Sequence, residues 1–471
     1  MRSNLFKSIF NIIIVSLSLI DSSSSQLRTF TEPQSLGKRI ISPYNFLNEK
    51  GFHLYLKQRL YLNTNLPNLE NLNGSYAYRG HGGLTSAFLG FNSNNFSITI
   101  EPLMSLHKIY DIKKIEKKDV FSVLNDLSTP PRNINKIKNA GIELKYNSLS
   151  FGYGNWNRWW GPGIHNSISL SNNAEGFYHY FVENYKYLSL TREVKLKGTY
   201  IVSTKMKNSI NANFYFSGLF LVLKMKNYEI GVSRSILNGG YPDLNWSNRE
   251  AFFVILSNKN LRYWDTINDY YFKIDYPKSG LELFLNIAIP NRSFSGENES
   301  QYSFHANASN IGIRKKGVFD NDKLEYGIEY TRLIQGNYYN ILPTPNWYDN
   351  FKFNYSSYNN RRWGAHSGSD SDDFLLYFGY NDNVSRLYFG INYERHGVTY
   401  HFPPEVKIEF KSSFSLTRKN LIVSVEYENE YFEHYGFVDN NKNVWNQTFE
   451  DGSIQRTSTI LFSITNKQIF K

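Results

Sequence analysis

The chain of 471 residues contains no cysteine, which excludes disulfides, thiolate metal sites and a lipidated N-terminal cysteine. It also lacks an apolar run of the roughly 20 residues that a membrane-spanning helix needs. The longest run, Ile9 to Ile20, is about a dozen residues, and nothing later comes close. Catalytic signatures are missing too. There is no Gly-x-Ser-x-Gly elbow, no His-Glu-x-x-His and no Walker loop. The histidines, among them His165, His179, His366, His396 and His401, are scattered. The expectation is therefore a non-enzymatic protein with no catalytic residues, no cofactor and no metal.

What the chain has in excess is aromatic residues: 17%, with Tyr 36, Phe 35 and Trp 8. That is too many for a disordered chain. Mean hydropathy is −0.47, which on average fits a soluble all-β protein. It fits a transmembrane β-barrel equally, because only alternate residues of each strand face lipid and aromatic girdles mark both interfaces. Met1 to about Gln26 reads as a secretory leader: Arg2 and Lys7 ahead of the apolar core, then Ser22 to Ser25 as a small-residue cleavage zone. The expected division is a leader over 1–25, a short periplasmic segment over 26–51 and a barrel over 52–471. An exported protein is no candidate for nucleic acid. Its net charge of +11 suits acidic glycans and lipid phosphates, although charged barrel lumens explain it as well.

Period-2 stretches dominate after Gly51 and are punctuated by tight turns. Seven of these are rich in Asn, Asp, Gly or Lys: Asn92–Asn95, Tyr146–Leu149, Lys226–Asn227, Pro277–Gly280, Asp320–Lys323, Asn381–Asn383 and Thr417–Asn420. An eighth, Arg192–Lys195, lacks that chemistry. Long irregular connections alternate with the turns, covering about 63–83, 107–136, 159–176, 238–268, 291–308, 335–373 and 433–454, with shorter ones at Asn208 and Phe402. Short periplasmic turns alternating with long external loops are the layout of an outer-membrane barrel, and eight such turns require about 18 strands. Ile460, Phe462 and Ile464 share one face of a closing strand near the C-terminus. One helix candidate, Lys117–Leu127, has helical spacing at Val120, Val123, Leu124 and Leu127 inside a loop, where it either caps or plugs the barrel or belongs to a structured surface loop.

One connection carries Asn155-Trp156-Asn157-Arg158-Trp159-Trp160-Gly161-Pro162-Gly163, then Ser167 to Ala174. Trp156, Trp159 and Trp160 offer faces for sugar rings, Arg158 pairs with acidic groups, and Asn172 and Asn173 suit hydroxyl recognition. The plainer alternative is a bend packed by its own tryptophans. In the 335–373 connection, Trp347, Tyr348, Tyr355, Tyr358, Arg361, Arg362 and Trp363 interleave aromatics with arginine, as an acidic polysaccharide site would. Alternatively that loop folds inward and plugs the lumen, its arginines paired with barrel carboxylates. Asp370, Asp372 and Asp373 lack the spacing of a calcium loop and read as a solvated acidic turn.

The Trp-Trp-Gly-Pro-Gly string followed by Leu170-Ser171-Asn172-Asn173-Ala174 resembles the Wzi capsule-assembly family of outer-membrane proteins. Looser similarities lie at Gly74–Gly82, Ile100-Glu101-Pro102, Tyr228–Arg234 and Trp363–Asp370. The resemblance runs from about Phe52 to the C-terminus. It implies a monomeric barrel of about 18 strands and a lectin-like role, holding exported capsular polysaccharide at the surface. The expected partners are a capsular or surface polysaccharide, acidic on the grounds of net charge and the arginine-bearing loop, and outer-membrane lipid, with polysaccharide export machinery left open. The 26–51 segment is too short for the periplasmic helical bundle of some members. A porin-type channel for small solutes is the competing reading of the same fold.

Overall fold

The computed structural model describes residues 50–470, apart from 110–132, 185, 208–211, 240–263, 292–306, 320, 334–356, 359–360, 383, 399–402 and 436–453. The expected leader, most of the 26–51 segment, the 117–127 helix candidate, Trp347 and Tyr348 lie outside the described residues. Eighteen antiparallel strands form one closed barrel. Closure comes from the first strand, Gly51–Asn63, pairing with the last, Gln455–Phe470, with Phe52 opposite Phe470. No described helix is long and apolar enough to cross a membrane. The crossing is made by strands, whose backbone groups all pair with neighbours and leave none to lipid.

Alternation along the first strand sets the pattern for the wall. Phe52, Leu56, Leu60 and Leu62 are exposed, whereas His53, Tyr55, Arg59, Tyr61 and Asn63 are buried inside. The next strands continue it, with Ile98, Ile100, Met104 and Leu106 outward and Ser97, Thr99, Leu103 and Ser105 inward. Leu106 at 70% and Met104 at 62% exposure would be costly in water, so this outer band is the lipid belt. Rings collect where the chain turns. Phe52 and Phe470 lie 6.0 Å apart, Phe91 and Phe96 5.3 Å, and Tyr228 stacks on Phe272 at 6.0 Å. They form an interfacial girdle at the short-turn end.

All eight expected turns are found at that end. Asn147 and Lys419 adopt the positive φ values the turns require, 54° and 51°. The turn without Asn or Gly works differently: Thr191 Oγ1 accepts the amides of Glu193 (3.2 Å) and Val194 (3.0 Å), and Leu190 N donates to Val194 O. Pro102, which cannot donate to a ladder, sits at the register shift of the Phe96–Ile109 strand. Two neighbouring strands, Leu149–Gly154 and His179–Asn184, have only 6 residues each. The connection between them leaves the sheet below the height of its neighbours and turns into the lumen.

Candidate functional site

The Trp-Trp-Gly-Pro-Gly connection is a hairpin-like loop laid across the barrel interior. Its base is anchored by Trp156, whose Nε1 donates to Thr99 Oγ1 at 3.0 Å and whose ring lies against Gly141. A Cβ at Gly141 would come within 2.5 Å of that ring. Trp160 bridges to Leu170, stacks on Phe220 at 5.4 Å and covers Gly218. The tip reaches the opposite wall. There Glu329 accepts the backbone N–H groups of Ile164 (2.7 Å), His165 (3.2 Å) and Asn166 (2.8 Å), and Ser169 donates to Asp269 at 2.9 Å. Gly161 has φ 137°, a region that favours glycine. A Cβ at Gly163 would lie 2.2 Å from Asn166 O.

Two further connections lock onto this loop. Residues 64–79 fold back through the Asn68–Ala77 bridge, and Asn73 N donates to Asn172 O at 3.0 Å. Residues 361–370 supply Trp363, whose carbonyl accepts Ser171 N at 2.6 Å and whose ring packs on Phe177 and Phe216. Arg361 ties all three together: Nη2 donates to Leu69 O at 2.6 Å and to Asn173 Oδ1 at 2.8 Å. Asn173 Nδ2 returns a bond to Arg362 O at 3.2 Å. The result is a packed plug in the loop-side part of the lumen.

This geometry revises the expected site. Arg361 and Arg362 are 0% and 1% exposed, so the picture of an exposed arginine loop is replaced by an inward fold, in which Arg361 bonds Leu69 O and Asn173 Oδ1 rather than the barrel carboxylates expected. The reason is hydrogen bonding. A guanidinium inside a barrel is stable only where carbonyls and polar side chains satisfy its fork. Trp156, Trp160, Asn172, Asn173 and Trp363 are likewise buried and spent on packing and loop-to-loop bonds. Arg158 and Trp159 keep part of their surface. Arg158 pairs with Glu183 at 2.5 Å and lies over Phe181, while Trp159 Nε1 donates to Gly163 O at 2.9 Å. Asp370, Asp372 and Asp373 are buried, not a solvated turn; Asp373 Oδ2 accepts Asn166 Nδ2 at 2.6 Å.

Although the chain is basic, the wall facing the plug is acidic, with Glu329, Asp373, Glu394 and Glu409 inward and buried. Within the plug, burial alone would lower the pKa of His165, but the Asp373 carboxylate beside it, at 3.2 Å, holds it up to about 9. Burial raises the Tyr76 hydroxyl well above its usual range, against the pull of Arg361 beneath its ring. Sequence reading missed Glu329, His165 and Glu394 as partners of the motif, because residues 28 to 227 positions apart meet here only through barrel closure. Toward the short-turn end a cavity of about 220 Å³ remains, lined by Lys57, Arg59, Glu101, Glu426 and Lys467 among others.

Similarity to known proteins agrees with this architecture. A family model described as capsule assembly protein Wzi matches residues 64–444. Among solved structures, the chain is similar to Wzi of Escherichia coli, described as an outer-membrane protein involved in group 1 capsule assembly and a carbohydrate-binding β-barrel. That match has a TM-score of 0.60 and 11% identity, covering 94% of this chain and 96% of that one. A BenF-like porin from Pseudomonas fluorescens aligns with a TM-score of 0.50 and 10% identity, over 90% and 100% of the two chains. At these identities the structures speak to the fold alone. No curated protein matches the sequence.

Proposed function

The chain belongs to the Wzi capsule-assembly family, and from that premise we propose that it attaches exported capsular polysaccharide to the cell surface by lectin-like binding, without catalysis. It is an outer-membrane β-barrel. The observation that carries the binding reading is the plug. Three connections, 64–79, 155–178 and 361–370, fill the loop-side lumen and are hydrogen-bonded to one another and to the wall. A pore for small solutes needs a continuous polar path, whereas a fixed, packed surface at the outer end gives a polymer a preorganised place to dock.

Of the candidate contacts within the described residues, Trp159 retains surface and is the one proposed to meet the glycan, whereas Arg158 is committed to Glu183, whose strand partner Ser150 adjoins the turn at the short-turn end. Trp159 offers a ring face. The buried candidates act by holding the plug in shape. An acidic polymer fits the chain's net charge of +11. Monomeric function and cooperation with export machinery belong to the same proposal.

The deciding experiment is a clean deletion strain. Polymer synthesis is expected to continue while polymer moves from the cells to the medium, and complementation restores retention. Cell-bound capsule at the parental level would remove the attachment role. Ion conductance of the purified protein in planar bilayers would favour the porin reading.

A further inference from the structure

Where the plug meets the wall, four ligand-type side chains converge: His165, His366, Asp373 and Glu394, all buried. Each comes from a different place. His165 sits at the tip of the tryptophan loop and His366 in the 361–370 segment. Asp373 and Glu394 are direct cross-strand partners on the Ser371–Asn381 and Ser385–His396 strands. The distances are compact. His165 Nε2 is 3.2 Å and His366 Nε2 3.3 Å from Asp373 Oδ2, and His366 Nε2 is 3.2 Å from Glu394 Oε1. The two rings lie edge to face at 4.5 Å.

We propose that these four side chains form a binding site for a divalent first-row metal of the Zn²⁺ class, which pins two plug loops to the barrel wall. Metal–nitrogen and metal–oxygen bonds of about 2.0–2.2 Å in a tetrahedron place neighbouring ligands roughly 3.3–3.6 Å apart. The three measured separations lie within about 0.3 Å of that range. Two imidazoles and two carboxylates are also a donor set that suits Zn²⁺.

A second argument comes from charge. Carboxylates directly opposite each other on adjacent strands repel, and Asp373 and Glu394 face each other inside the lumen. Besides the site's own imidazoles, Glu394 has His396 Nε2 3.3 Å from its Oε2 and Lys407 Nζ 3.5 Å from its Oε1, and that lysine is shared with Glu70 (2.6 Å), Glu409 (2.8 Å) and Glu430 (3.2 Å). Asp373 Oδ1 is buried without a hydrogen-bond partner.

A third argument comes from protons. His165 Nε2 has the Asn392 amide nitrogen at 2.9 Å on one side and the Asp373 carboxylate on the other. That nitrogen can accept from the first or donate to the second, but one protonation state does not serve both. With Asn71 Nδ2 3.2 Å from its Nδ1, His366 has one Nε2 proton to divide among Asp373, Glu394 and Glu70. A cation at the centre takes the lone pairs of both rings and neutralises the facing carboxylates. Asn166, which donates to Asp373 Oδ2 at 2.6 Å, then serves as the outer partner that orients a ligand. Metal binding through Nε2 leaves the His366 proton on Nδ1, which requires the Asn71 amide to turn its oxygen there and to give up its 3.1 Å bond to His165 O.

The test uses the full chain, without a histidine tag, purified in detergent, stripped with chelator and then exposed to Zn²⁺, with Co²⁺ as a spectroscopic probe. The expected result is one Zn²⁺ retained per chain, slower hydrogen exchange across 161–171 and 361–370, and the visible absorption of tetrahedral Co²⁺. His165→Asn and His366→Asn should each lower Zn²⁺ affinity by more than a hundredfold, and Asn166→Ala by roughly 10–100-fold. His81→Asn, on an exposed position of the second strand, should change nothing. Heat-modifiability checks that each variant still forms the barrel. If the folded wild type retains none of Zn²⁺, Co²⁺, Ni²⁺ or Mn²⁺, or if the His165 and His366 variants retain them equally, the site is a proton and ion-pair network and the proposal fails. Neither outcome bears on polysaccharide attachment, which the deletion strain decides separately.

Discussion

Glu329 Oε2 accepts the backbone N–H of Ile164 at 2.7 Å, so one carboxylate on the barrel wall holds the tip of a loop 165 residues earlier in the chain. The same side chain takes the amides of His165 and Asn166, and its Oε1 also accepts Asn310 Nδ2 at 2.9 Å. Successive amides converging on an anion make a nest. Here the anion is supplied by the barrel rather than by a ligand. The Pro162–Gly163 bend is what lets three consecutive N–H groups point one way. The motif that identifies the family is thus an adaptor between loop and wall.

Glu329→Ala removes the acceptor of three buried amides. Each charge-assisted bond contributes about 1.5–3 kcal/mol, and each amide left bare adds a desolvation cost. The plug tip should detach while the barrel persists. Hydrogen exchange over 161–171 should rise at least a hundredfold, and conductance should appear in planar bilayers. Glu329→Gln, which keeps an acceptor oxygen, should show an intermediate effect. Native-like protection in the alanine variant would remove the nest from the plug's support.

Arg361 makes the complementary prediction. Its Nη2 binds Leu69 O and Asn173 Oδ1 at full burial, and each such charge-assisted bond contributes about 1.5–3 kcal/mol. Arg361→Ala should expose the 64–79 and 361–370 segments to limited proteolysis with the barrel intact. Arg361→Lys should rescue only in part, because an ammonium can donate twice but lacks the planar guanidinium that lies beneath the Tyr76 ring. Any loss of glycan binding should be nearly independent of salt, since a buried arginine is poorly screened. A steep salt dependence would return Arg361 to the surface of the site.

The barrel was legible in the sequence because its signals are local. Period-2 alternation, turn chemistry at Asn147 and Lys419, and alternating connection lengths are each written within about ten residues. The weakest turn, at Thr191, was weak because a hydroxyl replaces the usual Asn or Gly. The direction of the loops was not legible. Arg361, Arg362 and Trp363 read as an exposed binding strip because composition is the same whether a loop lies over the barrel or inside it. What turns them inward is Asn173 and Leu69, some 188 and 292 residues away. His165 and His366 were scattered histidines until closure of the sheet placed their rings 4.5 Å apart.

The lipid belt predicts a membrane behaviour that any folded preparation can check. With its backbone ladder closed from Gly51 to Phe470, the barrel should stay folded in mild detergent and shift in gel mobility only after boiling. The protein should fractionate with outer membranes. Recovery in the soluble periplasm would contradict the assignment of Leu106, Met104 and their neighbours to lipid contact.

Trp159 and Trp160 are adjacent, yet they should behave oppositely when removed. Trp160 is buried, stacked on Phe220 and seated over Gly218, so Trp160→Ala opens a cavity costing about 3–5 kcal/mol and should loosen the whole plug. Trp159 is only half-buried, with its indole N–H bonded to Gly163 O. Its removal should leave hydrogen exchange over 161–171 within about twofold of wild type. A stacking face contributes about 0.5–1.5 kcal/mol beyond burial, so Trp159→Ala should weaken capsular polysaccharide binding by roughly 2–13-fold, with Trp159→Phe recovering most of the loss. The measurement is polymer binding by the purified folded variants, beside exchange as the control for plug order. If Trp159→Ala binds like wild type while its plug is intact, the contact surface is elsewhere on the outer loops. If it loses both binding and plug protection, Trp159 is a packing residue like its neighbour.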